Sequence, residues 1–374
     1  MKSLFKGYVA FMPDLNLSEI KKSTICFDTS ALLNIYRYPK AAADDFIKAM
    51  EYFHKNIWLP YIVALEYQTN RVTVLQQQSR VFDELLGRCK RFKDDVSGVF
   101  SDKQHHSLKH DNLIEMINKF EAEFNDYIES TRNRHPNYFR EDTIQAKLME
   151  LFDNRIGSIP TKEQLEVLYD IGESRFSNKI PPGYKDSKNK EHEFKLFGDM
   201  VIRSKYADFL IWNEIVEQAK NTNKSVILVT DERKEDWCWK DSNIILGARP
   251  ELVTEVSIKA GVDFRLISSN QFISFASTIR KISISKTTVT DIEDSLFPSW
   301  KDMVLQAFRE IGPIVKLEQL YEWIEDNKIR PLTSNWKATA RKTIYYYCKS
   351  RDLFQGREEL FEALDDATYK LINF

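Results

Sequence analysis

Short apolar runs alternate with stretches of helical periodicity over the first 280 residues. STICFD (residues 23–28) is apolar and β-branched like a strand, and SALLNIYRY follows it with helical spacing. The strand-like NIWLP is followed in the same way by a helical stretch, YIVALEYQTNRVTVLQQQ. Later, the helical ADFLIWNEIVEQAKN precedes the apolar strand SVILVTD. This alternation predicts an α/β domain over residues 1–280, with a central parallel sheet covered by helices on both faces.

Two segments depart from this alternation. Residues 80–155 are long and highly charged, and LIEMINKFEAEFNDYIEST within them has helical periodicity, so we expect a helical insertion. Residues 281–298 are polar and rich in Ser and Thr, as is typical of a linker. The chain is therefore expected to continue into a second domain over residues 299–374.

The C-terminal domain is predicted to be small and mainly helical. SWKDMVLQAFREIG, VKLEQLYEWIEDN and TSNWKATARKTIYYYCKS each have amphipathic spacing, and the following LFQGREELFEAL suggests a winged helix with its turn at Gln355 and Gly356. Within the third segment, positions four apart share one helical face. Lys337, Arg341 and Tyr345 share that face, as in a recognition helix, and the candidate nucleic-acid contacts of this segment are Lys337, Arg341 and Lys342. The alternative is a protein-interaction domain with a solvated basic face.

Composition narrows the class of protein. The 374 residues carry a formal net charge of -2, so nucleic-acid binding would have to come from local patches. The four cysteines form no close pair, which excludes a zinc knuckle or disulfide framework and favours a reducing cytoplasm. No run reaches the roughly 18 apolar residues that span a membrane, so we expect no membrane association.

Four carboxylates stand where chemistry is expected. Asp28 and Asp231 each end an apolar strand, and the carboxyl ends of parallel strands meet at one edge of a sheet. Glu66 and Asp208 lie in apolar helical segments, where an isolated charge is costly. At 4 Å, two such anions would repel by roughly 4 kcal/mol at an effective dielectric of 20, and cations relieve this. Oxygen ligands favour Mg²⁺ or Mn²⁺, which activate water for phosphodiester hydrolysis.

The ordered motifs FDTSALLNIYR, LPYIVALEYQTNR, PPGYKD, ADFLIWNEI and VTDERKEDW resemble the bacterial PIN-like nuclease family over most of residues 20–277. The resemblance implies a three-layer α/β/α PIN-like fold and an acidic metal site. It assigns Asp28, Glu66, Asp208 and Asp231 as catalytic and metal-binding residues, with Ser30, Asn70 and Asp236 in supporting positions. Relatives often have Gly-Asp before the late helix. Here that pair is Gly198 and Asp199, so Asp199 remains the rival of Asp208.

Two other readings of the acidic residues are available. A single Asp at a strand end is often only a cap or turn former. A haloacid-dehalogenase-like phosphohydrolase also begins with a strand-end Asp, but it has a second Asp two positions later, where this chain has Ser30. That difference argues against the dehalogenase reading.

Basic residues around the motifs complete the expected nuclease. Arg37, Lys185 and Lys188 are candidates to grip the phosphates of RNA or DNA. The family resemblance suggests a role as a toxin or in defence against phage. A protein partner from the same operon and a homodimer stay open, as does a non-catalytic nucleic-acid-binding or regulatory protein that retains the fold.

Overall fold

A computed structural model describes residues 1, 5–8, 16–101, 109–188, 190–241, 244–279, 281–295, 300–327, 332, 335–354 and 358–372. The chain divides into two compact units. The first comprises residues 1–239 and 247–291, and the second comprises residues 240–246 and 292–374.

Helices and strands are numbered in chain order. The helices are α1 (Leu17–Lys22), α2 (Thr29–Asn34), α3 (Lys40–Tyr52), α4 (Tyr61–Ser101), α5 (His110–Arg134), α6 (Thr143–Phe152), α7 (Lys162–Ser177), α8 (Ala207–Thr222), α9 (Pro250–Ala260), α10 (Ser269–Ser277), α11 (Lys286–Ser295), α12 (Trp300–Ile311), α13 (Leu317–Asn327) and α14 (Trp336–Tyr346). The strands are β1 (Thr24–Phe27), β2 (Ile57–Trp58), β3 (Phe194–Phe197), β4 (Met200–Arg203), β5 (Val226–Val229), β6 (Cys238–Asp241), β7 (Ile244–Ala248), β8 (Phe264–Ile267), β9 (Ile314–Lys316), β10 (Phe361–Ala363) and β11 (Thr368–Leu371).

The first unit is built on a four-stranded parallel sheet in the order β2-β1-β5-β8. Every residue of β1 and β5 is buried, because helices flank the sheet and leave these strands no solvated face. In register, Phe27 of β1 pairs with Val229 of β5, so both strands end at the same level. The predicted α/β class with a central parallel sheet is confirmed, and the residues that follow β1 and β5 meet at one edge.

The segment predicted as an insertion is helical in its described part. Helix α4 continues without interruption for 41 residues, and α5 adds 25 more. Lys93 of α4 pairs with Glu121 of α5, and Asp83 pairs with Arg132, so the two helices run antiparallel. At its other end, α4 begins where the carboxylate of Glu214 accepts hydrogen bonds from the first two backbone N–H groups of the helix.

The second unit combines three helices with a small sheet. Their order is α12, β9, α13, α14, β10 and β11, and the strands pair antiparallel as β10-β11-β9. Trp336, Ala340 and Ile344 of α14 are buried in its core, as helical spacing predicts. The predicted turn at Gln355 and Gly356 lies outside the described residues.

The segment between the two predicted domains is not wholly irregular. Helix α11 lies within residues 281–298, which composition assigns to a linker. Before it, Asp45 of α3 accepts hydrogen bonds from the backbone N–H of Ser285 and the hydroxyl of Thr288. These bonds tie the start of α11 to the first unit. Among the described helices, none has the length and apolar character to cross a membrane.

Candidate active site

Asp28 follows β1 directly and forms one side of the candidate site. Its Oδ2 accepts hydrogen bonds from the hydroxyl of Ser30 at 2.7 Å and from that of Thr230 at 2.9 Å. Burial raises the pKa of Asp28, and the charge of Glu66 raises it further against the lowering effect of the two hydroxyls. Asp28 is therefore a fixed, poorly solvated carboxylate with a second carboxylate nearby.

Glu66 projects from α4 and is held at both oxygens. The hydroxyl of Thr29 donates to Oε2 at 2.8 Å, and the ammonium of Lys195 donates to Oε1 at 2.7 Å. Both partners of this ion pair are mostly buried. Lys195 lies on β3, which forms a hairpin with β4 immediately before α8. The hairpin thus delivers a positive charge to a carboxylate that lies more than a hundred residues earlier in the chain.

Asp208 in the first turn of α8 is the third acidic group. Burial raises its pKa to about 7, the ammonium groups of Lys190 and Lys234 oppose this increase, and the charges of Glu66 and Asp28 add to it. Asp28 and Glu66 therefore lie near enough to Asp208 for their charges to disfavour its ionised form. Three of the four predicted acidic residues are thus neighbours in the structure.

The PPGYKD segment packs tightly against Asp208. Gly183 has φ +97°, and a Cβ placed there would lie 2.9 Å from the Cβ of Asp208. Asp236 is fully buried, and its Oδ2 accepts the backbone N–H groups of Gly183 at 3.0 Å and Lys185 at 3.3 Å. Asp236 therefore fixes the loop that packs against Asp208, as expected of a supporting position.

The same loop brings further charges to the site. Asp186 forms ion pairs with Lys234 and, at 3.6 Å, with Lys190. Although burial alone would lower the pKa of Lys190, the charges of Asp208, Asp186 and Glu66 keep it above its usual value. Lys190 is thus a partly buried cation surrounded by three acidic groups.

Asp231 lies at the same sheet edge, but its carboxylate makes different contacts. Oδ1 accepts the backbone N–H of Ser269 at 2.9 Å, and Oδ2 accepts both the Ser269 hydroxyl and the Nδ2 of Asn34 at 2.8 Å. The Ser30 hydroxyl accepts the backbone N–H of Asp231 and so connects this residue to Asp28. Both carboxylate oxygens of Asp231 are therefore already hydrogen-bonded, and they tie the residue after β5 to the end of α2 and the start of α10.

The other predicted site residues are exposed. The Asp199 side chain is 88% exposed and pairs with Lys162. Asn70 is exposed on α4. Lys185 is exposed and pairs with Glu235, and Lys188 is also exposed. Arg37 is exposed and donates to Asn34 at 2.6 Å.

Sequence reasoning missed the residues that support the carboxylates. These residues are Thr29, Asn34, Asp186, Lys195 and Thr230. Thr29 and Thr230 directly adjoin the predicted aspartates, so their positions could have suggested them. Lys195 has no such signal, because its partner is 129 positions away in the sequence.

The donor atoms of the acidic centre are of the type that binds a hard divalent cation, but their present arrangement does not form a metal site. Asp28, Glu66 and Asp208 provide carboxylate oxygens, which are the donors that Mg²⁺ and Mn²⁺ prefer. Within the described ranges, however, no three His, Cys, Asp or Glu side chains are grouped closely enough to hold a metal ion as they stand. Lys195 contacts Glu66 in this arrangement, and Lys190 partly neutralises Asp208.

Asp208 should destabilise the protein when no cation is bound. Because its pKa in the folded protein is about 7 instead of 3.8, the folded state holds a proton that the unfolded state releases between these values. The free energy of unfolding therefore falls as pH rises through this range. We expect Asp208→Asn to raise the free energy of unfolding by about 1–4 kcal/mol at pH 8, and by less at pH 5.

Urea unfolding in EDTA at the two pH values measures this difference. Asp199→Asn is the matched control, since Asp199 is exposed on the hairpin just before α8, and it should change stability little. An Asp208→Asn protein no more stable than the wild type at pH 8 would contradict the expectation.

Comparison with known proteins agrees with this geometry. The family model described as "PIN like domain" matches residues 24–252, which is more than half of the chain. The chain belongs to this family, whose members are typically nucleases. Neither a curated protein nor a solved structure matches it.

Proposed function

We propose that this chain is a nuclease that hydrolyses phosphodiester bonds of RNA or DNA with Mg²⁺ or Mn²⁺. The observation that carries the proposal is the position of Glu66, which accepts a hydrogen bond from Thr29 next to Asp28 and whose charge, together with that of Asp28, raises the pKa of Asp208. Burial and the charge of Glu66 raise the pKa of both Asp28 and Asp208, so a bound divalent cation would stabilise their ionised forms. Membership of the PIN-like family supports the same chemistry.

In this proposal Asp28, Glu66 and Asp208 hold the divalent cation. When bound, the cation supplies an activated water and stabilises the leaving oxygen of the phosphodiester. Ser30, Thr230 and Thr29 orient the carboxylates through the hydrogen bonds described above. Asp231 is the weaker candidate for a fourth metal ligand, because both of its carboxylate oxygens already accept hydrogen bonds from Ser269 and Asn34.

Two lysines are suited to bind the substrate. Lys195 and Lys190 both lie among the acidic residues, where an ammonium can attract a phosphate as well as a carboxylate. In the absence of substrate, Lys195 pairs with Glu66. If a divalent cation binds Glu66, it would replace the Lys195 ammonium as the partner of that carboxylate. The ammonium of Lys195 could then bind a phosphate oxygen of the substrate.

The second unit is proposed to be a winged helix that places the enzyme on nucleic acid. Its element order, three helices with a three-stranded antiparallel sheet closed by β10 and β11, supports this assignment. Lys337, Arg341 and Lys342 of α14 are all exposed, as phosphate contacts require. The ammonium of Lys337 lies over the rings of Trp336 and Tyr321, which limits its freedom to move. A role in defence against phage is consistent with these parts and rests on family resemblance alone.

A non-catalytic binding protein is the second candidate. It is favoured by the Lys195–Glu66 ion pair and by the lack of a ready three-ligand group among the described residues. The test is to incubate the protein with RNA, single-stranded DNA and duplex DNA, each with Mn²⁺, Mg²⁺ or EDTA. Cleavage that requires the metal supports the nuclease, whereas binding without cleavage of any substrate supports the second candidate.

A further inference from the structure

The antiparallel hairpin of α4 and α5 carries an apolar face that the described residues of the chain leave exposed. On α4, Leu85, Cys89, Phe92, Val96 and Val99 recur with the alternating spacing of four and three that forms a helix–helix seam. Only the Cys89 side of this seam is fully buried, while Phe92 is 50% and Val99 62% exposed. The seam of α4 is therefore wider than α5 can cover.

Helix α5 shows the same excess. Met116, Phe120 and Tyr127 are 69%, 50% and 65% exposed, whereas Ile128 is buried. The rings of Phe120 and Phe92 are in contact, with centroids 6.5 Å apart. Seven residues along a helix return to nearly the same side, and the two helices run antiparallel. Counting from the Phe92–Phe120 contact, Val99 therefore lies at the level of Leu113, and Leu85 lies at the level of Tyr127. The exposed side chains of both helices thus form one continuous face over about three heptad layers, which we call the hairpin face.

The hairpin face is about as large as the largest apolar patch of a typical monomer, and such a patch is often functional. A half-exposed aromatic side chain leaves roughly 100 Å² of surface, so Val81, Phe92, Val99, Met116, Phe120 and Tyr127 leave on the order of 500 Å². Patches of this size usually mark an interaction site. With the polar rim that surrounds such patches, the area approaches the roughly 800 Å² per partner of a stable interface.

The charges beside the hairpin face indicate which partner it fits. Residues 85–93 of α4 contain four basic and no acidic residues, whereas residues 120–129 of α5 contain four acidic and no basic ones. These two segments lie alongside each other, because Lys93 pairs with Glu121. A second hairpin related by a twofold axis can place its acidic helix against the basic helix of the first. The surface is therefore self-complementary in both charge and apolar character.

We propose that the hairpin face binds a second copy of this chain, so that two hairpins form a four-helix bundle. Each helix seam is then covered from two sides, as in other four-helix bundles. The interface lies on an insertion of the PIN-like unit and does not depend on whether the acidic site is catalytic. The structure accordingly assigns the insertion a role in assembly.

Sedimentation of the full chain between about 1 and 100 µM tests this proposal. We expect the wild type to sediment as a dimer, and Phe92→Glu/Phe120→Glu to raise the dissociation constant roughly 100-fold or more. Ile258→Glu is the matched control, because Ile258 is a 76% exposed apolar residue on another helix, α9, and it should leave the dimer intact.

A second variant guards against loss of folding. Since Phe92 and Phe120 contact each other within one chain, Met116→Glu/Tyr127→Glu changes the same face at its most exposed positions. Circular dichroism and the melting temperature report whether each variant is folded. The proposal is overturned if the wild type is monomeric at 100 µM, or if folded Met116→Glu/Tyr127→Glu protein dimerises as tightly as the wild type.

Discussion

Asp28→Asn and Asp208→Asn should each reduce metal-dependent cleavage by roughly 10²–10³-fold or more, without unfolding the protein. Each substitution keeps the size of the side chain and removes one negative charge from the acidic centre. Asn at position 28 can still accept from Ser30 and Thr230, so the local structure should persist. The measurement is the single-turnover rate on a labelled oligonucleotide with Mn²⁺, together with Mn²⁺ binding by calorimetry.

The ranking among the aspartates is the sharper part of this expectation. Asp231→Asn should cost only about 10–100-fold, because Asp231 acts through Ser269 and Asn34 on the position of the sheet edge. Asp199→Asn should leave the rate unchanged, since that side chain is exposed and paired with Lys162. Equal reductions for Asp231→Asn and Asp28→Asn would show that Asp231 is a direct ligand. Full activity of Asp28→Asn would show that the acidic centre is not needed for cleavage.

The sheet could be predicted from sequence because its signal is local. Apolar runs such as STICF and SVILV can be buried on both faces only in a covered parallel sheet, and each is followed within two residues by a carboxylate. The position of Asp28 beside the end of β5 then follows from parallel pairing alone. The pattern of apolar residues can thus locate those acidic-site residues that follow the ends of strands.

The contacts of the carboxylates could not be predicted in the same way. Asp231 and Asp28 follow neighbouring strands, yet Asp231 faces the first turn of α10, where a backbone N–H and a hydroxyl bind its oxygens. Lys195 reaches Glu66 because a hairpin folds across the sheet edge, and no spacing in the sequence records that approach. Long-range side-chain geometry decides whether a strand-end acid is a ligand or a structural acceptor.

Asp199 and Asp208 differ in burial, which the sequence motifs do not predict. Both follow a small residue and both precede or enter α8, so the local pattern does not separate them. The turn between β3 and β4 leaves Asp199 in solvent, whereas the first turn of α8 places Asp208 against Gly183. Only the second position restricts hydration enough to shift a carboxyl pKa toward neutrality.

Substitution of Lys337, Arg341 and Lys342 together by Ala should weaken nucleic-acid binding about 10–100-fold at low salt. The three charges are exposed on one segment of α14, whose opposite side is buried in the core of the second unit. If each side chain neutralises one phosphate, the slope of log affinity against log salt should fall by about one for each of the three substitutions. Fluorescence anisotropy with a labelled duplex and a labelled single strand, across a salt series, measures both quantities.

A matched triple variant separates this surface from general charge. Lys21→Ala/Lys22→Ala/Lys55→Ala removes the same charge from exposed positions of the first unit and should leave the salt slope nearly unchanged. Because the acidic centre is intact in the α14 variant, its cleavage rate at saturating substrate should match that of the wild type, and only the concentration needed for half-saturation should rise. Equal salt slopes for the two triple variants would indicate that α14 does not contact phosphates, and the second unit would then be a protein-binding module.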